Sequence, residues 1–167
     1  MYLLKLCLKR LLLVLSLTCY LFSTSFISAM TYPELGSNES LDFMTWNIEN
    51  FPKHSSTVSR VADIVNDINV DIIAFQEIQS LGAFNDLISL LEGNWVGYRS
   101  GGNSSYGELA YAVNTDEVQL LNVYTILQGD SYFFAYREPY VIKFIHQQKE
   151  YVMINNHFKC CGDGDLD

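Results

Sequence analysis

The sequence predicts an α/β (α+β) protein: a two-sheet β-sandwich with flanking helices. Three observations support this. A strand–helix–strand–helix opening is followed by a run of further strands. The apolar positions of the two helical stretches recur at helical spacing. The strand at Asp71–Gln79, D-I-I-A-F-Q-E-I-Q, carries a continuous apolar core, Ile72–Phe75, of the kind buried on both faces. The chain has 167 residues, 49% of them apolar and 17% charged, which suits one domain with a real core and excludes disorder.

The first thirty residues read as an address. Lys5, Lys9 and Arg10 precede the apolar stretch Leu11–Phe22, and small and polar residues lead to Ser28-Ala29. This is the pattern of a signal peptide over 1–29, with cleavage after Ala29 and export to a secreted or periplasmic location. The alternative is an uncleaved membrane anchor, because Leu11–Ala29 carries no charge. Lipid attachment at Cys19 is disfavoured by the bulk of Thr18. Residues 30–40 form a polar lead-in with Pro33, Gly36 and Asn38, and the domain occupies 41–167.

Leu41–Ile48 alternates and reads as a strand, ended by Glu49-Asn50-Phe51-Pro52. Ser55 or Ser56 caps a helix to about Asn69, with Val58, Val61, Val65 and Ile68 on one face. After the Asp71–Gln79 strand, Phe84, Leu87, Ile88 and Leu91 mark a second helix closed by Gly93. Trp95–Arg99 is a short strand and Ser100–Ser105 a loop. Leu109–Val113, Val118–Leu127, Tyr140–Ile145 and Tyr151–His157 are further strands, with His146–Glu150 as the last turn. His54 and His146 are expected in exposed loops.

From Thr31 onward the chain carries seven basic and nineteen acidic side chains. Charge alone therefore cannot hold a polyanion, and a phosphate substrate needs a cation or a few placed basic groups. Of the four cysteines only Cys160 and Cys161 belong to the domain. Being adjacent they pair poorly with each other, and distant partners, a free thiol pair and a strained vicinal bridge all stay open. No second Cys or His cluster suggests structural zinc.

The polar residues at strand ends are the candidates for chemistry: Asn47, Glu49, Glu77, Glu108, Arg137, Asn156 and His157. Such groups can converge on one rim of a sandwich. Glu77, between Phe75 and Ile78, is costly beside a core strand unless a partner or a cation holds it. Its bland reading is a strand-end glutamate that reaches solvent. Arg137-Glu138 can equally be a surface pair, His157 a satisfied strand-end histidine, and Tyr106 a ring packed on the sheet or one stacked on a sugar or base. Asp163, Asp165 and Asp167 alternate like the start of a calcium loop but lack its glycine and glutamate.

T-W-N-I-E-N (45–50), F-Q-E-I (75–78), S-Y-G-E (105–108), R-E-P-Y-V-I-K-F (137–144) and N-N-H-F-K (155–159) occur in that order. Together they resemble the endonuclease/exonuclease/phosphatase superfamily, in particular its deoxyribonuclease I-like branch. The resemblance implies that Glu77 holds a divalent cation, magnesium first and manganese or calcium as alternatives. It places Asn47 beside that ion and adds Glu49 to the metal shell. It has His157 contact the scissile phosphate and protonate the leaving oxygen, Glu108 hydrogen-bond His157, and Arg137 and Tyr106 meet substrate. Asn156, with its side chain opposite to that of His157 on a strand, is read as structural.

The resemblance implies an exported, metal-dependent phosphodiester hydrolase, monomeric, most simply a nuclease acting on DNA or RNA. Sphingomyelinase-like or phosphatase activity on phospholipid or sugar phosphate is the variant within enzymes. The family's later Gly-Asp-x-Asn and Ser-Asp-His motifs do not occur in the chain. The expectation is therefore a fold incomplete at the C-terminus and an inactive fragment, with a non-catalytic relic or binding module as the alternative.

Overall fold

The computed structural model describes residues 32–102 and 107–159. The expectations for the signal segment, Tyr106, Cys160, Cys161 and the closing aspartates lie outside the described residues.

Four strands form the first sheet. They are β1 (Phe43–Phe51), β2 (Ile72–Ile78), β3 (Trp95–Arg99) and β4 (Glu108–Asn114), in the order β1-β2-β4-β3. β1 runs parallel to β2, and the other pairings are antiparallel. Helices α1 (Thr57–Ile68) and α2 (Leu81–Leu90) connect its strands. The second sheet is an antiparallel meander of β5 (Gln119–Thr125), β6 (Tyr140–His146) and β7 (Lys149–Asn155), with a 3₁₀ turn at Ser131–Phe134 between β5 and β6. The two-sheet sandwich with helices outside is the predicted architecture.

α1 presents Val61, Val65 and Ile68 to the sheet and stops at Asn69, which takes the left-handed conformation. Ser56 holds the N-cap position without making a cap hydrogen bond; its hydroxyl lies 3.0 Å from His54 Nδ1 instead. Ser80 caps α2, its hydroxyl accepting from Ala83 N–H at 3.2 Å.

β2 supplies both cores. Ile73, Phe75 and Ile78 pack with α1 and α2, while Ile72 and Ala74 pack with Tyr111, Ile142 and Phe144 between the sheets. Burying each large apolar side chain stabilises the fold by about 1.5–3 kcal/mol, so this doubly buried strand anchors both layers. The outer face of the first sheet is covered by helices. That of the second carries exposed Tyr124, Val152 and Ile154.

Several boundaries differ from expectation, and the last strand is Lys149–Asn155, so His157, expected to end it, lies two residues past it. β1 continues through Glu49 and Asn50 to Phe51, because Phe51 is fully buried and pairs with Ile78. The β6–β7 hairpin turns on Gln147 and Gln148 alone, both at positive φ. His146 is consequently a strand residue. It is buried, with Nδ1 3.0 Å from the Glu117 carbonyl, which corrects its reading as an exposed loop histidine. His54 is exposed, as expected.

Candidate functional site

The site grows out of a paired irregularity in β1 and β2. Their register runs evenly to Asn47↔Gln76 and resumes at Phe51↔Ile78, so β1 carries two residues more than β2 over this span. Against β4, β2 itself has one residue too many between Phe75 and Ile78. That bulge reverses the alternation, which is why Ile78 joins Ile73 and Phe75 on the helix side. Glu77 sits in the bulge at φ 66°, and Glu49 and Asn50 sit at φ 43° and 56°. Non-glycine residues adopt this region at a cost, and such residues cluster at functional sites.

The bulge delivers the Glu77 carboxylate to a small polar cluster. Asn47 Nδ2 donates to Glu77 Oε1 at 3.1 Å, and His157 Nε2 lies 3.2 Å from the same oxygen. The Asn50 backbone N–H donates to Oε2 at 3.2 Å. His157 Nδ1 is buried and has no hydrogen-bond partner among the described residues. In the neutral ring the proton therefore belongs on Nε2, where Glu77 accepts it. Burial pushes the Glu77 carboxyl up. The hydrogen bonds from Asn47, His157 and Asn50, together with the His157 charge, outweigh that and hold it below the usual glutamate value.

Glu108 does not make the predicted bond to His157. It opens β4 with its side chain buried, and its Oε2 accepts from the Ser100 hydroxyl at 3.2 Å. Gly102 leaves it room, since a Cβ there would stand 2.5 Å from Oε1. The loop thus turns the carboxylate towards Ser100. Glu49 is also placed otherwise than expected: its carboxylate is exposed and pairs with Lys53 at 2.6 Å. Only its backbone N–H joins the cluster, donating to Asn47 Oδ1 at 3.0 Å. Arg137 is 3% exposed, which removes its reading as a solvated surface pair.

The sequence reading passed over Asn155 and Gln76. Asn155, on β7, reaches across the sandwich and donates to the carbonyls of Phe75 at 2.8 Å and Ala110 at 3.1 Å. Its Oδ1 accepts from Gln76 Nε2 at 2.7 Å. These buried bonds tie the strand before His157 to the two strands that carry Glu77 and Glu108. The available signal was spacing: Asn155 lies two residues before His157, on the same side of the strand predicted over Tyr151–His157. Asn156, read as structural, lies past the strand and half-buried.

Among the described residues no group of three or more His, Cys, Asp or Glu side chains is arranged to hold a metal. The donors present still fit magnesium, which takes oxygen ligands and commonly binds through one or two carboxylates with water and substrate phosphate. Glu77 supplies such a carboxylate, held low and already oriented.

The sequence matches the family described as Endonuclease/Exonuclease/phosphatase over residues 44–149. No curated protein matches it. Among solved structures the fold is similar to D. rerio TDP2 complexed with single strand DNA product, at TM-score 0.59 and 12% identity, covering 74% of this chain and 48% of that one. It is also similar to a truncated Caenorhabditis elegans TDP2, at TM-score 0.57 and 22% identity, again covering 74% and 48%. The chain thus spans about half the length of these two structures. With more than half its own length matched and its sandwich shared with them, this chain belongs to the endonuclease/exonuclease/phosphatase family.

Proposed function

We propose that this chain carries the Glu77–His157 half of a divalent-metal-dependent phosphodiesterase site that acts on nucleic acid, in a protein exported by its first 29 residues. The observation that carries the reading is the convergence of Asn47 and His157 on one oxygen of a bulge-mounted carboxylate. The family match supports hydrolysis of a phosphate ester, and a similar fold in a protein complexed with single strand DNA product supports nucleic acid as the substrate.

Glu77 would hold the cation, with Asn47 beside it. A bound magnesium ion would offset the charge that develops on the phosphate oxygens. The chain's own residues do the rest. Asn47 fixes one oxygen of Glu77 and the Asn50 N–H fixes the other, so the carboxylate keeps one orientation. Glu77 in turn holds the His157 ring at Nε2, and the doubly protonated ring is the form that would pass a proton to a leaving oxygen and return to neutral imidazole. Arg137 lies at the end of the turn that leads into β6, and its planar fork suits phosphate.

A second reading, a site that binds phosphate without turnover, is favoured by the placement of Glu49 at Lys53 and Glu108 at Ser100. Incubation of the chain with supercoiled plasmid in magnesium, in EDTA and as Glu77→Gln separates the two. Magnesium-dependent nicking that Glu77→Gln abolishes supports the hydrolase. Plasmid retention in a shift assay without nicking supports the binding module.

A further inference from the structure

We propose that the aromatic turn beside the site is a stacking platform for unpaired bases, so that nucleic acid reaches His157 single-stranded; the proposal rests on the nucleic-acid reading above. Tyr132, Phe133 and Tyr136 lie in or just after the Ser131–Phe134 turn, and all three are exposed, Phe133 at 64% and Tyr136 at 63%. Phe158, which follows His157, is 66% exposed. Water disfavours so many bare rings in one place, and clustered exposed apolar surface marks an interaction site.

The rings are braced rather than loose. Tyr132 meets Phe133 edge-on at 5.6 Å and Tyr136 edge-on at 6.0 Å between centroids. Phe158 lies against Phe134 at 5.4 Å. Lys159 Nζ donates to the Tyr132 hydroxyl at 2.7 Å and lies 4.0 Å from its ring centre. Tyr136 is held at φ 63°, unusual for a bulky side chain, with its N–H donating to the Ser131 carbonyl at 2.7 Å.

The platform is continuous with the site. Lys159 N–H donates to the Phe133 carbonyl at 3.1 Å, which ties the turn to the segment carrying His157, and Tyr136 directly precedes Arg137. Stacking on rings is worth binding energy for any base, and the Lys159 ammonium held beside the Tyr132 ring supplies a basic group at the platform. Duplex bases already stack on each other and offer no free face, so the platform selects unpaired strands.

The test is fluorescence anisotropy in EDTA, where nothing is cut, with a labelled oligothymidylate, a duplex of the same length and an abasic strand of the same length. The single strand should bind about tenfold or more tighter than either other probe. Phe133→Ala and Tyr136→Ala should each weaken it about tenfold, while Phe133→Trp and Tyr136→Trp retain binding. Circular dichroism checks that the alanine variants fold. Equal binding of the abasic and the normal strand overturns the proposal. So does alanine-sensitive binding to phosphatidylcholine vesicles with oligothymidylate binding unaffected. Hydrolysis of bis(p-nitrophenyl) phosphate in magnesium keeps the two readings apart. Its absence alongside intact strand binding counts against the hydrolase and leaves the platform standing.

Discussion

The backbone of Gly107 lies against the backbone of Glu77. A Cβ on Gly107 would stand 2.5 Å from the Glu77 carbonyl carbon, 2.7 Å from its oxygen and 2.9 Å from its Cα. Gly107 is also at φ 84°, where any other residue is strained. The glycine just before β4 is thus the surface against which the β2 bulge is formed, and it helps set where the carboxylate points. Gly107→Ala should lower stability by about 2 kcal/mol or more and reduce any magnesium-dependent nicking. Gly101→Ala, where a Cβ meets nothing within 4 Å, should change stability by less than about 0.5 kcal/mol. Urea denaturation of both variants measures this. Equal stability of the two would show that Gly107 does not shape the bulge.

The bulge also marks where the sequence stopped being informative. The layers were legible because helix and strand periods are local properties: Val61, Val65 and Ile68 recur at helical spacing whatever they pack against. Glu77 and His157 were legible as polar groups at the ends of apolar strands, although β7 stops at Asn155, two residues before His157. The bulge was not, because β2 is buried on both faces and leaves no alternation for an extra residue to interrupt. The Glu108 partner was hidden for a related reason, since it depends on the path of the Ser100–Gly102 loop over the start of β4. His146 was misplaced because its hairpin turns on two glutamines in the left-handed region, without the glycine or asparagine that usually announces such a turn.

Asn47 and His157 act on the same oxygen of Glu77, so their effects on catalysis should not add. If the chain hydrolyses phosphodiesters, His157→Ala should lower kcat by about 10²–10⁴-fold, the range for a lost general acid. Asn47→Ala in that background should cost clearly less than it does alone, because the ring it helps to position is gone. Glu49→Ala should change kcat by less than about threefold, as its exposed pair with Lys53 is worth little. Steady-state hydrolysis of a small diester by the single and double variants measures the coupling. Full additivity, or a Glu49 effect as large as that of Glu77→Gln, would break the site as drawn.

Asn155 is expected to matter to the fold more than its neighbour. Asn155→Leu leaves the buried carbonyls of Phe75 and Ala110 without this donor and removes an acceptor from Gln76. Each buried group left unsatisfied costs about 1–3 kcal/mol, so the variant should lose about 3 kcal/mol or more. Asn156→Ala should stay within about 0.5 kcal/mol of the parent. Chemical denaturation with matched m-values reads the difference. Similar losses at both positions would mean that the cross-sheet bonds carry no special weight.

Asp71 gives a pH dependence of opposite sign to that of Glu77. It is buried just ahead of β2, and its Oδ2 accepts the Asp42 N–H at 2.7 Å. Burial pushes its carboxyl up. The Asp42 N–H opposes this, the charges of Glu117 and Asp42 add to it, and His146 counteracts it, with a raised value as the net result. The folded chain therefore holds this proton more tightly than the unfolded chain does. Stability falls as pH climbs from the ordinary aspartate range through the raised folded value, and the penalty is complete above it. Glu77, held low, works the other way: its contribution is present above the ordinary glutamate value and is lost as pH falls through the folded one. Asp71→Asn keeps an oxygen for the Asp42 N–H and removes the titration. Its stability advantage over the parent should be absent in strong acid, grow across the window just above the ordinary aspartate range, and then level off. Paired urea melts across that range measure the difference directly. A constant offset at every pH would show that the Asp71 carboxyl titrates alike in the folded and unfolded chains.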